Sequence, residues 1–179
     1  MKKIITVMAA ILTISVANAA DIRWQSPATA ILNSTNLPSG AVAYLFDASV
    51  VSAATVEAAI KDGTFMTALI DNNKHAATDM TLSTGAILLD KDMTSWLPGQ
   101  EKTLFMVIFN ASTFGTATQF KLTDAITDEL SAGQTTFNFG SGGASSPFAL
   151  APWQPVPEPA TMALLGIGIV AVGLRRRRK

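Results

Sequence analysis

Apolar residues follow two rhythms between positions 20 and 140. Continuous apolar runs occur at 41–46 (AVAYLF), 86–89 (AILL) and 103–109 (TLFMVIF), each bounded by turn-forming residues. Runs of this length predict buried strands. Alternation of apolar and polar residues occurs at 21–24, 118–122 and 135–139, and predicts strands presenting one apolar face. One stretch keeps a helical spacing instead. In SAATVEAAIKDG, Ser52 can cap the first turn, Val56 and Ile60 share a face at i, i+4, and Gly63 suits the stop. Residues 65–70 fit a strand or a helical turn equally well.

Turn chemistry separates these elements. Asn36-Leu37-Pro38-Ser39-Gly40, Asp71-Asn72-Asn73-Lys74 and the pair Pro98-Gly99 all interrupt the apolar pattern. The order of elements predicts a mainly β fold, an antiparallel β-sandwich-like domain over 20–140 with one short helical insertion. Residues 141–155 then read as a Gly/Ser/Pro linker, Gly/Ser-rich in its first half and stiffened by Pro152 and Pro155 further on. No internal repeat of fixed period is evident.

The two ends have a different pattern. The chain opens with Lys2 and Lys3, an apolar stretch over 4–16 and then small residues. That order describes a secretory signal peptide over 1–19, with Ala17 and Ala19 flanking the cut. The apolar stretch is shorter than the roughly 20 residues that a bilayer core requires. At the other end, 160–174 carries no charged residue. As a helix this run is about 22 Å long, against a hydrocarbon core of about 30 Å. Its fit as a transmembrane helix is therefore short. Gly166, Gly168 and Gly173 within it are better tolerated in lipid than in water. Arg175, Arg176, Arg177, Arg178 and Lys179 follow, and would hold the extreme C-terminus on the cytoplasmic side.

Between the linker and the apolar run stands Val156-Pro157-Glu158-Pro159, kept extended by its prolines. This motif, a glycine-containing apolar run and a terminal basic cluster, in that order over 156–179, resemble the PEP-CTERM sorting signal of Gram-negative bacteria. The resemblance implies recognition by an exosortase, a membrane-embedded cysteine transpeptidase, with a cut near Pro157-Glu158-Pro159. It implies transient residence in the inner membrane and delivery to the cell envelope, outer surface or extracellular matrix. It covers the tail alone and carries no activity for the rest of the chain.

Charge narrows the function classes. The whole chain balances 13 basic against 13 acidic residues. Two basic residues lie in the leader and five in the tail, so 20–155 holds six basic against twelve acidic residues. A net charge of about −6 argues against nucleic-acid binding, which needs a basic face. The chain has no cysteine. Thiol catalysis and Cys-ligated zinc are excluded, and the exported domain must be stabilised by its apolar core alone.

Four groups of residues invite a chemical reading. Ala86-Ile87-Leu88-Leu89-Asp90-Lys91-Asp92-Met93-Thr94 resembles the first motif of haloacid dehalogenase-like phosphatases. That resemblance implies Asp90 as nucleophile and Asp92 as general acid and base beside Mg²⁺, with Asp124 and Asp128 as a later acidic pair. Too little chain follows for the βαβ units of that fold. Asp71, Asn73, Asp90 and Asp92 are candidate calcium ligands, although the 71–75 loop lacks the glycine and terminal glutamate of an EF-hand. His75 is the one histidine, which excludes multi-histidine metal sites, and its polar loop predicts exposure. Trp24, Trp96 and Trp153 could stack on sugar rings if they shared an exposed face, but their wide separation and different local contexts favour core packing or linker anchoring.

The expected function is that of an exported structural or interaction protein without catalytic or cofactor-binding residues. Signal peptidase and an exosortase-like transpeptidase are its processing partners, and an extracellular polysaccharide or surface partner its external one. The alternative is a secreted carbohydrate-binding module or a metal-dependent hydrolase using Asp90 and Asp92.

Overall fold

The computed structural model describes residues 19–26, 40–80, 87–139 and 152–157. The expected leader, the 36–39 part of the first turn, most of the Gly/Ser segment and the tail beyond Pro157 lie outside the described residues. The elements are β1 (Ala20–Ser26), β2 (Val42–Asp47), α1 (Ala53–Lys61), a π-helical turn (Met66–Ile70), β3 (Ala77–Met80) and β4 (Ile87–Met93). They continue with β5 (Glu101–Phe109), a 3₁₀ turn (Phe114–Thr116), β6 (Gln119–Leu122), β7 (Ile126–Glu129), β8 (Gln134–Asn138) and β9 (Gln154–Pro155).

The fold is mainly β, as the apolar rhythm predicts. Two sheets face each other, one in the order β4-β1-β8 and one in the order β3-β2-β5-β6-β9, with β7 also on β5. One pairing departs from the expected antiparallel arrangement. β1 runs antiparallel to β4 but parallel to β8, with Trp24 opposite both Leu89 and Phe137. The parallel pair arises because the first and last long strands of the chain meet in one sheet. Alternation in β1 and β8 specifies which face is apolar and is silent on direction.

The core between the sheets holds Ile22, Trp24, Ala43, Leu45, Leu104, Met106, Ile108 and Phe137, all without exposure. The Trp24 indole N–H points at the Met106 sulfur, 3.0 Å away. A second core lies on the opposite face of the larger sheet, where Tyr44, Phe46, Phe105, Val107, Phe109 and Phe120 meet Val56 and Ile60 of α1, with Phe65 and Leu69 beside them. The helical region therefore forms a third layer. This is why β2 is buried at every position and why both β2 and β5 read as unbroken apolar runs. Central strands covered on both faces have no polar side to show.

Local chemistry at the turns matches the sequence. The Ser52 hydroxyl accepts from the Thr55 N–H at 3.2 Å and caps α1. Gly63 follows α1 at φ +69, a conformation that costs glycine nothing. The ambiguous segment 65–70 is helical and wide: the Asp71 N–H reaches the Met66 carbonyl at 2.9 Å and that of Lys74 the Leu69 carbonyl at 2.8 Å. The wider turn lets Phe65 sit wholly buried among Tyr44, Phe109 and Phe114, each 5.2 Å away between centroids or, for Phe46, 6.2 Å.

Along one edge of β5, β6 pairs with its end and β7 with its start. Between them Thr123-Asp124-Ala125 stands opposite Phe105-Met106, one residue extra. The buried Thr123 closes the gap: its N–H donates to the Met106 carbonyl and its hydroxyl accepts from the Met106 N–H, both at 2.9 Å. Such a bulge bends the strand and satisfies the backbone it disrupts.

Candidate functional site

The acidic pair on β4 is held differently from the expected phosphatase loop. β4 runs on to Met93, so Asp90 and Asp92 project from the exposed face of a strand rather than from a loop after it. Pairing with β1 extends the strand, since Asp90 lies opposite Arg23 and Asp92 opposite Asp21. The Arg23 guanidinium donates to both Asp90 oxygens, at 2.8 and 3.0 Å. This bidentate bond, with help from Gln134 and partly opposed by desolvation, holds the Asp90 carboxyl below its ordinary pKa. Asp90 is thus an exposed ion-pair partner of Arg23 on the sheet face.

The calcium candidates are not gathered either. Among the described residues no three of His, Asp and Glu approach closely enough to hold a metal ion. Asp71 and Asn73 sit exposed in the turn after the π-helical segment. Asp124 is exposed beside the bulge and Asp128 exposed on β7. His75 corrects the expectation of an exposed loop residue. It is half-buried and edge-on to Tyr44 at 5.9 Å, and burial, with the nearby Lys91 charge, lowers its pKa. The three tryptophans also turn inward. Trp24 and Trp96 are buried in the inter-sheet core and Trp153 packs against it, so they offer no shared sugar-stacking face.

What the structure does assemble lies where the chain leaves the domain. Residues 152–157, read from composition as the end of a linker and the start of the sorting motif, are seated on the sheet. Gln154 and Pro155 form β9 against Phe120 and Gln119 of β6, and the Val156 N–H donates to the Thr118 carbonyl at 2.9 Å. In this antiparallel register the residues facing β6 with their N–H are Gln154 and Val156. Pro155, which has none to offer, takes the position between them, where edge strands accept proline.

Side chains alternate accordingly. Trp153 packs on the inter-sheet core and Val156 on the second core. The Trp153 ring also lies 5.8 Å from the Lys121 ammonium. Lys121 is fully buried, and burial lowers its pKa. The shelf beneath Val156 is built by Asn110, whose Oδ1 accepts from the Thr118 and Gln119 N–H groups at 2.9 Å each and whose Nδ2 donates to the Thr118 hydroxyl at 2.8 Å. Pro155, Val156 and Pro157 line one wall of a shallow groove whose other wall is Phe114, Ala117 and Thr118.

Among the described residues no helix is long and apolar enough to cross a membrane. The expected transmembrane segment, Glu158, Pro159 and the basic cluster from Arg175 to Lys179 lie outside the described residues, as do Ala17 and the greater part of the leader. Comparison with protein families resolves the tail. Residues 155–178 match the PEP-CTERM protein-sorting motif. No curated protein matches the chain. The match begins at Pro155, inside β9, so the sorting signal and the folded domain overlap.

Proposed function

We propose that this chain is a surface or matrix protein with a structural or binding role and no catalytic activity, delivered by its tail. The PEP-CTERM motif marks an exported protein sorted by an exosortase-type system in Gram-negative bacteria, and that single observation carries the reading. Signal peptidase would remove the leader after Ala19. The transpeptidase would act near Pro157-Glu158-Pro159 while the apolar run rests in the inner membrane. The β domain would then stand at the outer surface or in the extracellular matrix, with a polysaccharide or another surface component as partner.

Two observations support the non-catalytic part. Asp90, the residue that the phosphatase resemblance makes the nucleophile, is engaged by Arg23 on the exposed sheet face, and the tryptophans pack on the core. Mass spectrometry of the mature protein tests the delivery. The expected product begins at Ala20 and ends near Pro157; material that retains Arg175 to Lys179 in the envelope would leave a plain anchor in place of a processed signal. A Mg²⁺-dependent phosphatase assay on the purified protein is expected to be silent, and turnover abolished by Asp90→Asn would overturn the non-catalytic reading.

A further inference from the structure

The sorting match takes in the last three described residues, 155–157, and the first two of them are seated on the domain. Val156 gives its N–H to Thr118 and its side chain to the aromatic core. Trp153, just upstream, is pinned against the inter-sheet core and over Lys121. A processing enzyme takes its substrate as an extended peptide running through a cleft, with several residues engaged on each side of the cut. For a cut beside Pro157 or Glu158, the residues it must engage upstream are those that β6 holds.

We infer that β9 is a strap that withholds the sorting motif, so that the tail can be cut only after Trp153–Pro157 peels from β6. The inference rests on the reading of the tail as a processed signal. The strap is suited to such a role. It is a two-residue edge strand held by few backbone bonds, and short edge elements open locally far more often than the domain unfolds. Its apolar anchors at both ends make opening an equilibrium rather than a permanent state. Pro155 and Pro157 leave its outer edge without N–H donors at those positions, so further strands cannot add there and compete with release. When opening and closing are fast compared with cutting, the rate of cutting follows the open fraction. Processing would then report on the folded domain: one whose β6 edge is correctly formed is released slowly and late.

A reversible lock tests this. Gln119 and Pro155 face each other at a non-hydrogen-bonded position of the register, where Cα atoms stand about 4.5 Å apart, a separation that a disulfide spans. The natural chain has no cysteine, so Gln119→Cys with Pro155→Cys creates a single pair. The full chain would be treated with a proline-specific endoprotease active on proteins, and cutting after Pro157 followed by mass. Cutting after Pro98, remote from the strap, is the internal reference.

Oxidation of the pair is expected to slow the Pro157 cut at least tenfold, with reduction restoring it and the Pro98 cut unaffected. Trp153→Ala in the natural background is expected to speed the Pro157 cut several-fold and far more than it speeds the Pro98 cut. Equal rates in the oxidised, reduced and Trp153→Ala proteins would overturn the strap. This assay needs no exosortase. A wrong sorting reading would instead show as a retained tail in the mature protein, so the two failures are distinguishable.

Discussion

Replacing Phe65 by alanine is expected to cost the domain about 3–5 kcal/mol, the range for removing a buried phenylalanine. Phe65 is fully buried and meets Tyr44, Phe46, Phe109 and Phe114 at 5.2 to 6.2 Å between ring centroids. It joins the helical layer to β2 and β5, so its loss would leave a void that neither side can close. The ring contacts add to the transfer term, at about 0.5–1.5 kcal/mol for each well-placed aromatic pair. Domains are typically stable by about 5–15 kcal/mol in total. The substitution should therefore lower Tm by roughly 10 to 15 °C. Urea denaturation gives the free energy directly, and a midpoint shift with unchanged slope is the expected signature. Phe114→Ala, at a half-buried ring, should cost clearly less. Equal losses at the two positions would show that the third layer is not organised around Phe65.

The second large effect is expected at Asp47, at the end of β2. Its carboxylate is almost fully buried and accepts from the Lys102 ammonium at 2.9 Å. It also accepts from the Ser49 N–H at 2.8 Å and the Ser49 hydroxyl at 2.6 Å. Lys102 lies 4.7 Å from the centre of the Trp96 ring as well. Asp47→Ala strips three donors of their acceptor and leaves a largely buried ammonium unpaired. A loss of about 3 kcal/mol is expected, the lower end for a broken buried pair, because Lys102 keeps some access to water.

The same site predicts a pH dependence. Burial works to raise the Asp47 pKa, but the Ser49 and Lys102 hydrogen bonds and the Lys102 charge outweigh it and leave it below the ordinary carboxylate value. A depressed folded-state pKa means that the native state binds fewer protons than the unfolded chain. Its stabilisation is complete above the unfolded pKa of about 3.9 and is lost as pH falls through the lower folded value. Asp47→Ala should therefore flatten the acid limb of the stability curve as well as lower its plateau. An acid limb of the same slope in both proteins would place the linkage elsewhere.

The legible part of this fold lies in the patterns that neighbouring residues make together. The apolar runs 41–46 and 103–109 became β2 and β5; Ser52, Val56, Ile60 and Gly63 became a capped helix with its buried stripe and its stop. Pro98-Gly99 became a tight turn with Gly99 at φ +82. Three short elements were not legible. β3 (ATDM) and β7 (ITDE) are polar edge segments, and β9 holds a proline in two residues. Such strands exist because β2, β5 and β6 offer unpaired backbone edges, and no residue of their own announces it.

The candidate residues divide in the same way. The Asp90-Lys91-Asp92 spacing suggested a catalytic loop, yet β1 draws those residues into a strand and Arg23, 67 positions away, claims Asp90. Trp24, Trp96 and Trp153, far apart in sequence and set in different local contexts, are packing residues, as that separation favours over ring stacking. Spacing within one segment cannot reveal a partner supplied by another.

Taken alone, the amino-acid order determined the delivery signal, the charge balance, the absence of thiol chemistry and the predominance of strands. These depend on composition and on residues close in the chain, which act before any folding. The tertiary structure decided that β1 and β8 run parallel, that helices cover a second face of the larger sheet, and that the sorting motif begins on the domain itself. Each of those depends on backbone edges and apolar faces brought together across the length of the chain. At Pro155 the two kinds of information meet, where a residue belonging to the tail by sequence belongs to the sheet by hydrogen bonding.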